Sequence, residues 1–258
     1  MKIIDCESQD SAYQSLEGIT DIDEARLNSI FDQYEPADLH FEDDSDPLFI
    51  HIKEQSREIT VDEVCGFHVT RVPAGTSFED GLLPSHLVLE KFWKILFSLV
   101  EKDFSKGEFE SFKKLFELSD DAYKRHPQKS DIDLVRDKLR NPVLAGPNGM
   151  VIREVAFCPE KVGYRDFFTI PEYVGDICRI FDREYEFDLT ERYRNSCRRC
   201  IVKYKSRLNR EAYFNCLITY AYYKYKGLEF DPNLRGTLDN HGEIVRPEDI
   251  LSIEWIDV

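Results

Sequence analysis

The sequence predicts an α+β protein with a mixed central sheet built from both chain ends and a large helical insertion. Strand-like runs lie near both termini and in the middle of the chain, and long segments of helical spacing separate them. This order of elements is typical of an α+β fold. With 258 residues, of which 42% are hydrophobic, the chain is able to bury a sizeable core. We expect a single α+β domain over residues 1–258.

The first part of the chain is predicted to alternate strand and helix. Residues 2–5 are typical of an edge strand. Apolar residues at helical spacing predict a helix over 22–34, with Asp21 as its N-cap. Two further apolar runs, at 47–52 and 64–70, predict strands.

The helical insertion is predicted at about 85–141. Amphipathic spacing indicates helices from residue 85 or 86 to about 104, over 106–118 and over 131–139. A glycine- and proline-rich turn at 145–149 then leads into a strand over 150–157.

A second helical part, at about 171–227, is rich in basic residues. Pro171 is suited to the first turn of a helix that runs to about residue 187. Helices are also predicted over 189–208 and 209–226, the last closed by Gly227. The chain returns to strand at 243–245 and 250–256.

Apolar runs are too short for a membrane helix, and the N-terminal residues lack the apolar region of a signal peptide. We therefore expect a cytoplasmic protein with no membrane partner. The seven scattered cysteines are expected to be reduced thiols. The close pair Cys197 and Cys200 has intervening arginines that would lower the thiol pKa values, which makes a redox role conceivable, but an accidental spacing on a helical surface is the favoured interpretation. No metal site is expected.

Charge is unevenly distributed along the chain, whose net charge is −16. Residues 1–60 are strongly acidic, which suggests a basic protein partner for this region. Residues 191–226 are basic and contain interleaved tyrosines that would suit stacking on nucleic-acid bases. The favoured alternative is a helix face that pairs with the acidic part of the same chain.

A short strand carries the first candidate site residues. In Phe67-His68-Val69-Thr70-Arg71, a histidine and a threonine point to the same face of an otherwise apolar strand. One explanation is a hydrogen-bonded core histidine, and the other is a nucleotide-binding strand.

Three separated pieces of sequence together resemble the diphtheria-toxin-like branch of the ADP-ribosyltransferase fold, in the His-Tyr-Glu pattern. The first piece joins the His68-x-Thr70 strand to Gly81-Leu82-Leu83-Pro84, and the second runs from 150 to 157 with Tyr164 and Tyr173. The third is Gly242-Glu243-Ile244-Val245-Arg246-Pro247-Glu248-Asp249-Ile250 and the strand that follows it. The wider superfamily includes bacterial toxin and phage-defence members.

The resemblance implies an enzyme that uses NAD as a substrate, with His68, Tyr164 and Glu243 in catalytic roles. Cleavage of the nicotinamide–ribose bond develops positive charge on the ribose, which a carboxylate such as Glu243 stabilises. His68 would hydrogen-bond the ribose hydroxyls, and Tyr164 would stack on the nicotinamide.

The same resemblance implies three further residues that bind NAD. Thr70 would support the histidine strand, Arg71 would pair with a diphosphate oxygen, and Tyr173 is the second choice for stacking. Each residue also has a plain structural explanation, as a strand residue or as part of an aromatic cluster.

Three functions remain open from the sequence. The first is an ADP-ribosyltransferase-like enzyme that modifies a protein or nucleic acid. The second is a non-catalytic acidic interaction protein of the antitoxin or immunity type, and the third is a nucleic-acid-binding module that uses residues 191–226.

Overall fold

Helices and a mixed sheet make up the computed structural model, which confirms the predicted α+β class. The structure describes residues 1–39, 45–117, 124, 126–141, 145–159, 161, 168–207, 210–229, 231 and 236–257.

Six strands of the described residues form one sheet in which β2 and β4 are central. The strands are β1 (Ile3–Ile4), β2 (Glu63–Pro73), β3 (Asn148–Met150), β4 (Cys197–Ser206), β5 (Thr237–Asp239) and β6 (Ile250–Ile256). Their order is β5-β3-β2-β4-β6, and β1 also pairs with β2. β1 is parallel to β2, with Ile3 opposite Glu63, whereas β3 is antiparallel to it, with Phe67 opposite Met150. The sheet is therefore mixed and drawn from both chain ends, as predicted.

The helices fill the segments between the strands. They are α1 (Gln9–Thr20), α2 (Glu24–Phe31), α3 (Pro47–Gln55), α4 (Ser85–Val100), α5 (Lys106–Lys113), α6 (Lys129–Arg140), α7 (Glu172–Tyr185), α8 (Leu189–Ser196) and α9 (Phe214–Tyr225). Helices α4 to α6 occupy the predicted insertion, and Gly227 follows α9 with a φ of +64°, as its predicted role requires.

The chain forms two compact units, each assembled from three segments. The first unit comprises Met1–His68, Asn148–Tyr164 and Lys203–Leu238, and the second comprises Val69–Pro147, Arg165–Val202 and Asp239–Val258. The division falls within β2 and β4, so each of these strands has residues in both units. The single-domain organisation stays a prediction.

The first unit packs α1 against α9, β1 and α3. Helix α1 begins with a capping box, in which the Ser8 side chain accepts from the Ser11 backbone N–H and the Ser11 side chain accepts from that of Ser8. Its buried face includes Leu16 and Ile19, and the rings of Phe31 and Tyr222 meet edge to face at 5.6 Å between centroids.

The second unit has an aromatic core between α4 to α8. Trp93 contacts Phe109, Phe112 and Phe116, and Phe112 contacts Phe181 edge to face at 5.0 Å. The spacing of Phe109, Phe112 and Phe116 explains why this part of the insertion is helical, because it places the three rings on one face.

Several predicted elements differ from the structure in type or in their first and last residues. The run 47–52 is the helix α3, because Asp46 caps the Leu48 N–H and Pro47 suits the first turn. The predicted helix 22–34 is the shorter α2, and its N-cap is Asp23, while Asp21 ends α1 in a left-handed conformation.

Three further predicted segments differ from the structure. The strand predicted over 150–157 ends at Met150 and is followed by a 3-10 helix, Arg153–Phe157. The helix predicted over 189–208 ends at Ser196 and continues as β4, in which buried and partly exposed residues alternate from Val202 to Ser206. The segment 243–245 is not a strand, and Val245 alone forms an isolated bridge, with Leu82.

Candidate active site

His68 is held by the backbone of the neighbouring strand β3. Its Nδ1 atom lies 2.7 Å from the carbonyl oxygen of Asn148. A carbonyl oxygen only accepts hydrogen bonds, so we assign the ring proton to Nδ1, and Nε2 is then an acceptor. Burial lowers the pKa of His68, although the bond to Asn148 acts in the opposite direction. The half-buried ring is therefore neutral at neutral pH and suited to accept a hydrogen bond from a hydroxyl group.

Two glycines next to His68 make room for the fully buried ring of Tyr204. A Cβ atom on Gly66 would lie 2.6 Å from the Tyr204 Cζ atom, and one on Gly149 would lie 2.7 Å from the Tyr204 hydroxyl oxygen. These approaches are too close for any side chain, so both positions require glycine. The ring of Tyr204 is fixed in the same part of the first unit as His68.

Arg71 lies in the second unit and binds backbone carbonyl groups. Its Nε donates to the Cys197 oxygen at 3.0 Å, its Nη1 to Phe168 at 2.8 Å and Thr169 at 3.5 Å, and its Nη2 to Arg194 at 2.5 Å. Two of these acceptors belong to the C-terminal end of α8, where a positive charge also interacts favourably with the helix dipole.

The structure thus gives Arg71 a structural role. The side chain is buried, and burial is the main cause that lowers its pKa. These four bonds leave one of the five guanidinium N–H groups for another acceptor. Its contact with a diphosphate stays a prediction, and a two-pronged contact would require breaking a bond to the backbone. Thr70, the preceding residue, is buried.

Tyr173 lies in the first turn of α7 and packs against the aromatic core of the second unit. Its ring meets Phe92 edge to face at 5.0 Å between centroids. The hydroxyl oxygen is buried and has no hydrogen-bond partner among the described residues, and burial raises the pKa of the phenol well above its usual value. Stacking of Tyr173 on nicotinamide stays a prediction, and Tyr164 lies outside the described residues.

Glu243 is presented by a tight turn rather than by a strand. His241 and Gly242 have φ values of +51° and +78°, and the Glu243 N–H donates to the Asn240 carbonyl oxygen at 2.8 Å. Two successive positive φ angles are typical of a type I′ turn, in which glycine fits the second position at no steric cost. The side chain of Glu243 is exposed.

Two side chains hold this turn in place. The buried Asn240 amide donates to the Pro147 carbonyl oxygen at 2.7 Å. Asp239 accepts from the His241 backbone N–H at 2.7 Å, and its other carboxylate oxygen lies 3.3 Å from His241 Nδ1. The unusual left-handed conformation of His241 is therefore supported by its neighbour Asp239.

Separate pieces of the sequence pattern adjoin within the units. In the second unit, Leu82 and Val245 exchange two backbone hydrogen bonds, at 2.9 and 3.0 Å. Gly81 has a φ of +79°, and a Cβ atom there would lie 2.0 Å from the Val245 carbonyl oxygen. In the first unit, Phe67 is opposite Met150. Both pairings join residues that are more than 80 positions apart in the sequence.

The predicted site residues divide between the two units. His68 belongs to the first unit, and Thr70, Arg71, Tyr173 and Glu243 belong to the second. The convergence of His68 with Glu243 on one cleft stays a prediction.

Two residues near His68 in the first unit are not predicted as part of the site. The sequence predicts Asn148 within a turn and Tyr204 within a helix. The alternation of apolar or small residues with lysines from Val202 to Ser206 is the signal that would have placed Tyr204 on a strand.

Lys203 in the basic segment pairs with the acidic N-terminal residues. Its Nζ atom lies 2.6 Å from the Asp5 carboxylate and 2.7 Å from that of Glu7. Burial is the largest single influence on the pKa of Lys203 and lowers it. The two carboxylates together outweigh burial, so the pKa is raised above its usual value. Lys203 thus pairs with acidic residues of the same chain as expected, but it lies on the strand β4 and not on the predicted helix face.

Glu63 is a second acidic partner of this segment. It is 2% exposed, and its Oε1 atom lies 3.3 Å from Lys205 Nζ and 3.2 Å from Arg207 Nη2. Three cations of the segment therefore have partners within the first unit. The tyrosines proposed to stack on bases include four that are fully buried, namely Tyr193, Tyr204, Tyr220 and Tyr222.

Cys197 and Cys200 lie on β4 rather than on a helical surface, and both are buried. Burial raises the pKa of Cys197 to about 11 and that of Cys200 to about 12, and outweighs the lowering effect of Arg198 on Cys200. A protonated thiol is a poor nucleophile. The arginines between the two cysteines therefore do not lower the thiol pKa values enough to activate the pair.

Within the described ranges, no group of three or more His, Cys, Asp or Glu residues is arranged to hold a metal ion. Nor does any helix in those ranges combine the length and apolar character needed to cross a membrane. No family model, no curated protein and no solved structure matches the chain. Its function must therefore be inferred from its own residues.

Proposed function

We propose that this protein is an ADP-ribosyltransferase-like enzyme that cleaves NAD and transfers ADP-ribose to a macromolecular target. The observation that carries the proposal is the state of His68. Its ring is neutral, is fixed through Nδ1 to the Asn148 carbonyl, and has Nε2 as an acceptor on a central strand. This is the state required to accept a hydrogen bond from a ribose hydroxyl.

The pairing of the sequence pieces also supports the proposal. The bridge between Leu82 and Val245 brings the segment after the histidine strand next to the segment that carries Glu243. The turn at Glu243 is fixed by the buried Asn240 and leaves the carboxylate exposed. A carboxylate on a rigid turn is suited to stabilise a developing positive charge, since it needs little reorganisation when the charge appears.

The proposed roles are those that the resemblance of the sequence pattern implies. His68 orients the ribose, and Glu243 stabilises the positive charge that develops when the nicotinamide–ribose bond breaks, then accepts a proton from the attacking nucleophile. Tyr164 or Tyr173 stacks on the nicotinamide ring. The attacking group comes from a protein or a nucleic acid, and the seven free cysteines favour a cytoplasmic setting.

NAD binding and turnover test the proposal directly. We expect NAD to raise the melting temperature of the intact protein by mass action, and nicotinamide to be released when a target extract is present. The E243Q variant keeps the shape of the side chain but removes its charge, and should lower nicotinamide release at least about 100-fold. The H68A variant should lose the shift caused by NAD.

Glu248 provides the matched control. It is an exposed carboxylate in the same segment that pairs with Arg246, so E248Q should bind and cleave NAD like the natural protein. If NAD causes no thermal shift and the intact protein releases no nicotinamide, the proposed enzymatic function is refuted.

Two other functions are distinguished by separate experiments. An acidic interaction protein would bind a basic partner with an affinity that falls steeply as salt rises. A nucleic-acid-binding module would retard a labelled oligonucleotide, and charge reversal at Arg198 and Arg199 would abolish that retardation.

A further inference from the structure

Strand β6 forms one end of the sheet in the part of the chain that the structure describes. The strand order ends with β4 followed by β6, so none of the described strands pairs with the far side of β6, which is an edge of the sheet formed by these residues. β6 is seven residues long, none of them is buried, and Leu251 is 47% exposed.

The sequence of β6 lacks the features that usually protect such an edge. Its residues are Ile250-Leu251-Ser252-Ile253-Glu254-Trp255-Ile256, of which five are apolar and one is charged. Proteins commonly protect an exposed edge with lysine, proline, a bulge or a very short strand. β6 contains no lysine or proline and is longer than a typical protected edge, which indicates that the edge is used for pairing.

The order of side chains in β6 is symmetric about Ile253. Polar residues stand one position away on each side, at Ser252 and Glu254, and apolar residues stand two and three positions away. If two copies pair in an antiparallel manner about this residue, Leu251 of each copy faces Trp255 of the other. Opposed apolar side chains of this kind stabilise a sheet, whereas opposed like charges destabilise it.

Charge also favours this register over its neighbours. Centred on Ile253, the pairing places Glu254 opposite Ser252, whereas a centre on Glu254 would oppose two carboxylates and a centre on Ser252 would place Glu254 opposite Ile250.

Beyond the strand ends, the same register brings Asp249 opposite Asp257. Each of these carboxylates has an arginine of its own chain nearby: Arg246 Nε lies 3.0 Å from Asp249, and Arg198 Nη2 lies 3.7 Å from Asp257. Their mutual repulsion is thereby reduced.

We propose that β6 is a homodimer interface, through which two copies of this chain join their sheets by antiparallel pairing centred on Ile253. The interface is independent of the proposed activity, because it uses none of the residues assigned to NAD. The partner is a second copy because the strand is complementary to itself in its apolar positions and, within β6, opposes no two like charges.

Molecular mass in solution tests the proposal first. Sedimentation equilibrium should show a rise from 30.3 kDa to twice that mass as the protein concentration increases. The net charge of −16 on each copy opposes association, so added salt should strengthen the dimer. The L251K variant places two lysines next to the axis and should weaken dimerisation at least about tenfold.

The matched control is I244K, which changes an apolar residue of similar exposure, 46%, outside β6. It should dimerise like the natural protein. A mass of 30.3 kDa up to about 200 µM at high salt, or an equal effect of L251K and I244K, would overturn the proposal.

Cross-linking tests the register and does not depend on how well a lysine variant folds. Residues directly opposite each other in antiparallel strands have Cα atoms about 4.5–5.5 Å apart, within the range of a disulfide. The I253C variant should therefore form a covalent dimer under mild oxidation. In S252C the two substituted residues would be roughly 8 Å apart, so it should not. Equal cross-linking of both variants would exclude this register.

Discussion

The Tyr193 hydroxyl donates a hydrogen bond of 2.7 Å to the carbonyl oxygen of Arg71, and the Arg71 guanidinium donates in turn to the end of the helix that carries Tyr193. Both side chains are buried. The two residues thus form a reciprocal connection between β2 and α8 within the second unit, over a separation of more than 120 residues.

Loss of the Arg71 side chain should strongly destabilise the second unit. The R71A variant leaves several buried carbonyl groups without donors, and we expect its free energy of unfolding to fall by about 3–5 kcal/mol. R71K keeps the charge but not the planar fork, and should recover less than half of that loss. Urea denaturation measures both values. The exposed Arg246 is the control, and a loss in R246A as large as that in R71A would contradict this role.

Removal of the Tyr193 hydroxyl tests the other half of the connection. Y193F leaves the buried carbonyl of Arg71 without this donor, so we expect a loss of about 1–3 kcal/mol in the free energy of unfolding. Tyr225 offers the matched comparison, because its hydroxyl bonds to Asp32 in an exposed position. Y225F should change stability by less than about 0.5 kcal/mol, and equal losses in the two variants would speak against a special role for Tyr193.

Two glycines should respond in opposite ways to alanine. A methyl group on Gly66 collides with Tyr204 and Leu238 at less than 3 Å, and we expect G66A to lose at least about 1–3 kcal/mol. Gly18 lies on the exposed side of α1, and nothing lies within 4 Å of a Cβ placed there. G18A should gain about 0.5–1 kcal/mol. Thermal unfolding of both variants would show the contrast, and a neutral G66A would mean that Tyr204 can move aside.

The titration of His68 should make the stability of the protein depend on pH. Because burial lowers the pKa of His68 in the folded protein, the unfolded state binds more protons as the pH falls below about 6.5. The His68 contribution to stability is thus present above about pH 6.5 and is lost as the pH falls through the folded-state pKa. H68Q keeps an N–H donor for the Asn148 carbonyl but does not titrate, so its unfolding free energy should fall less steeply with acid.

The exposed His86 controls this measurement. Its variant H86Q should follow the natural protein across the same pH range. Parallel curves for H68Q and the natural protein would show that His68 titrates alike in both states.

The sequence predicted best those helices that have clear amphipathic spacing and a capping residue, proline or glycine at a terminus. Helices α4, α5, α7 and α9 lie close to their predicted positions, because amphipathic spacing extends over several turns and Ser105, Pro171 and Gly227 mark their ends. The class of the fold and the use of both chain ends in the sheet followed from the order of these elements.

Other parts were decided by contacts between distant residues. The junction at Ser196 and Cys197 changes from helix to strand without glycine or proline, and basic residues on the strand obscure its alternation. The contact between His68 and Asn148 spans 80 residues, and nothing in either local sequence specifies the other. The same is true of Arg71, whose bonds to four carbonyls depend on segments about 100 residues away.

The composition of each unit from three segments has a consequence for synthesis of the protein. The first unit is complete only when residue 238 has been made, and the second needs the strand that ends at Ile256. Neither unit is able to finish folding until its last segment has been made, and the first unit must bring together segments that residues 69–147 and 165–202 separate. We therefore expect slow folding that is completed only after β6, the last of the described strands in chain order, has been translated.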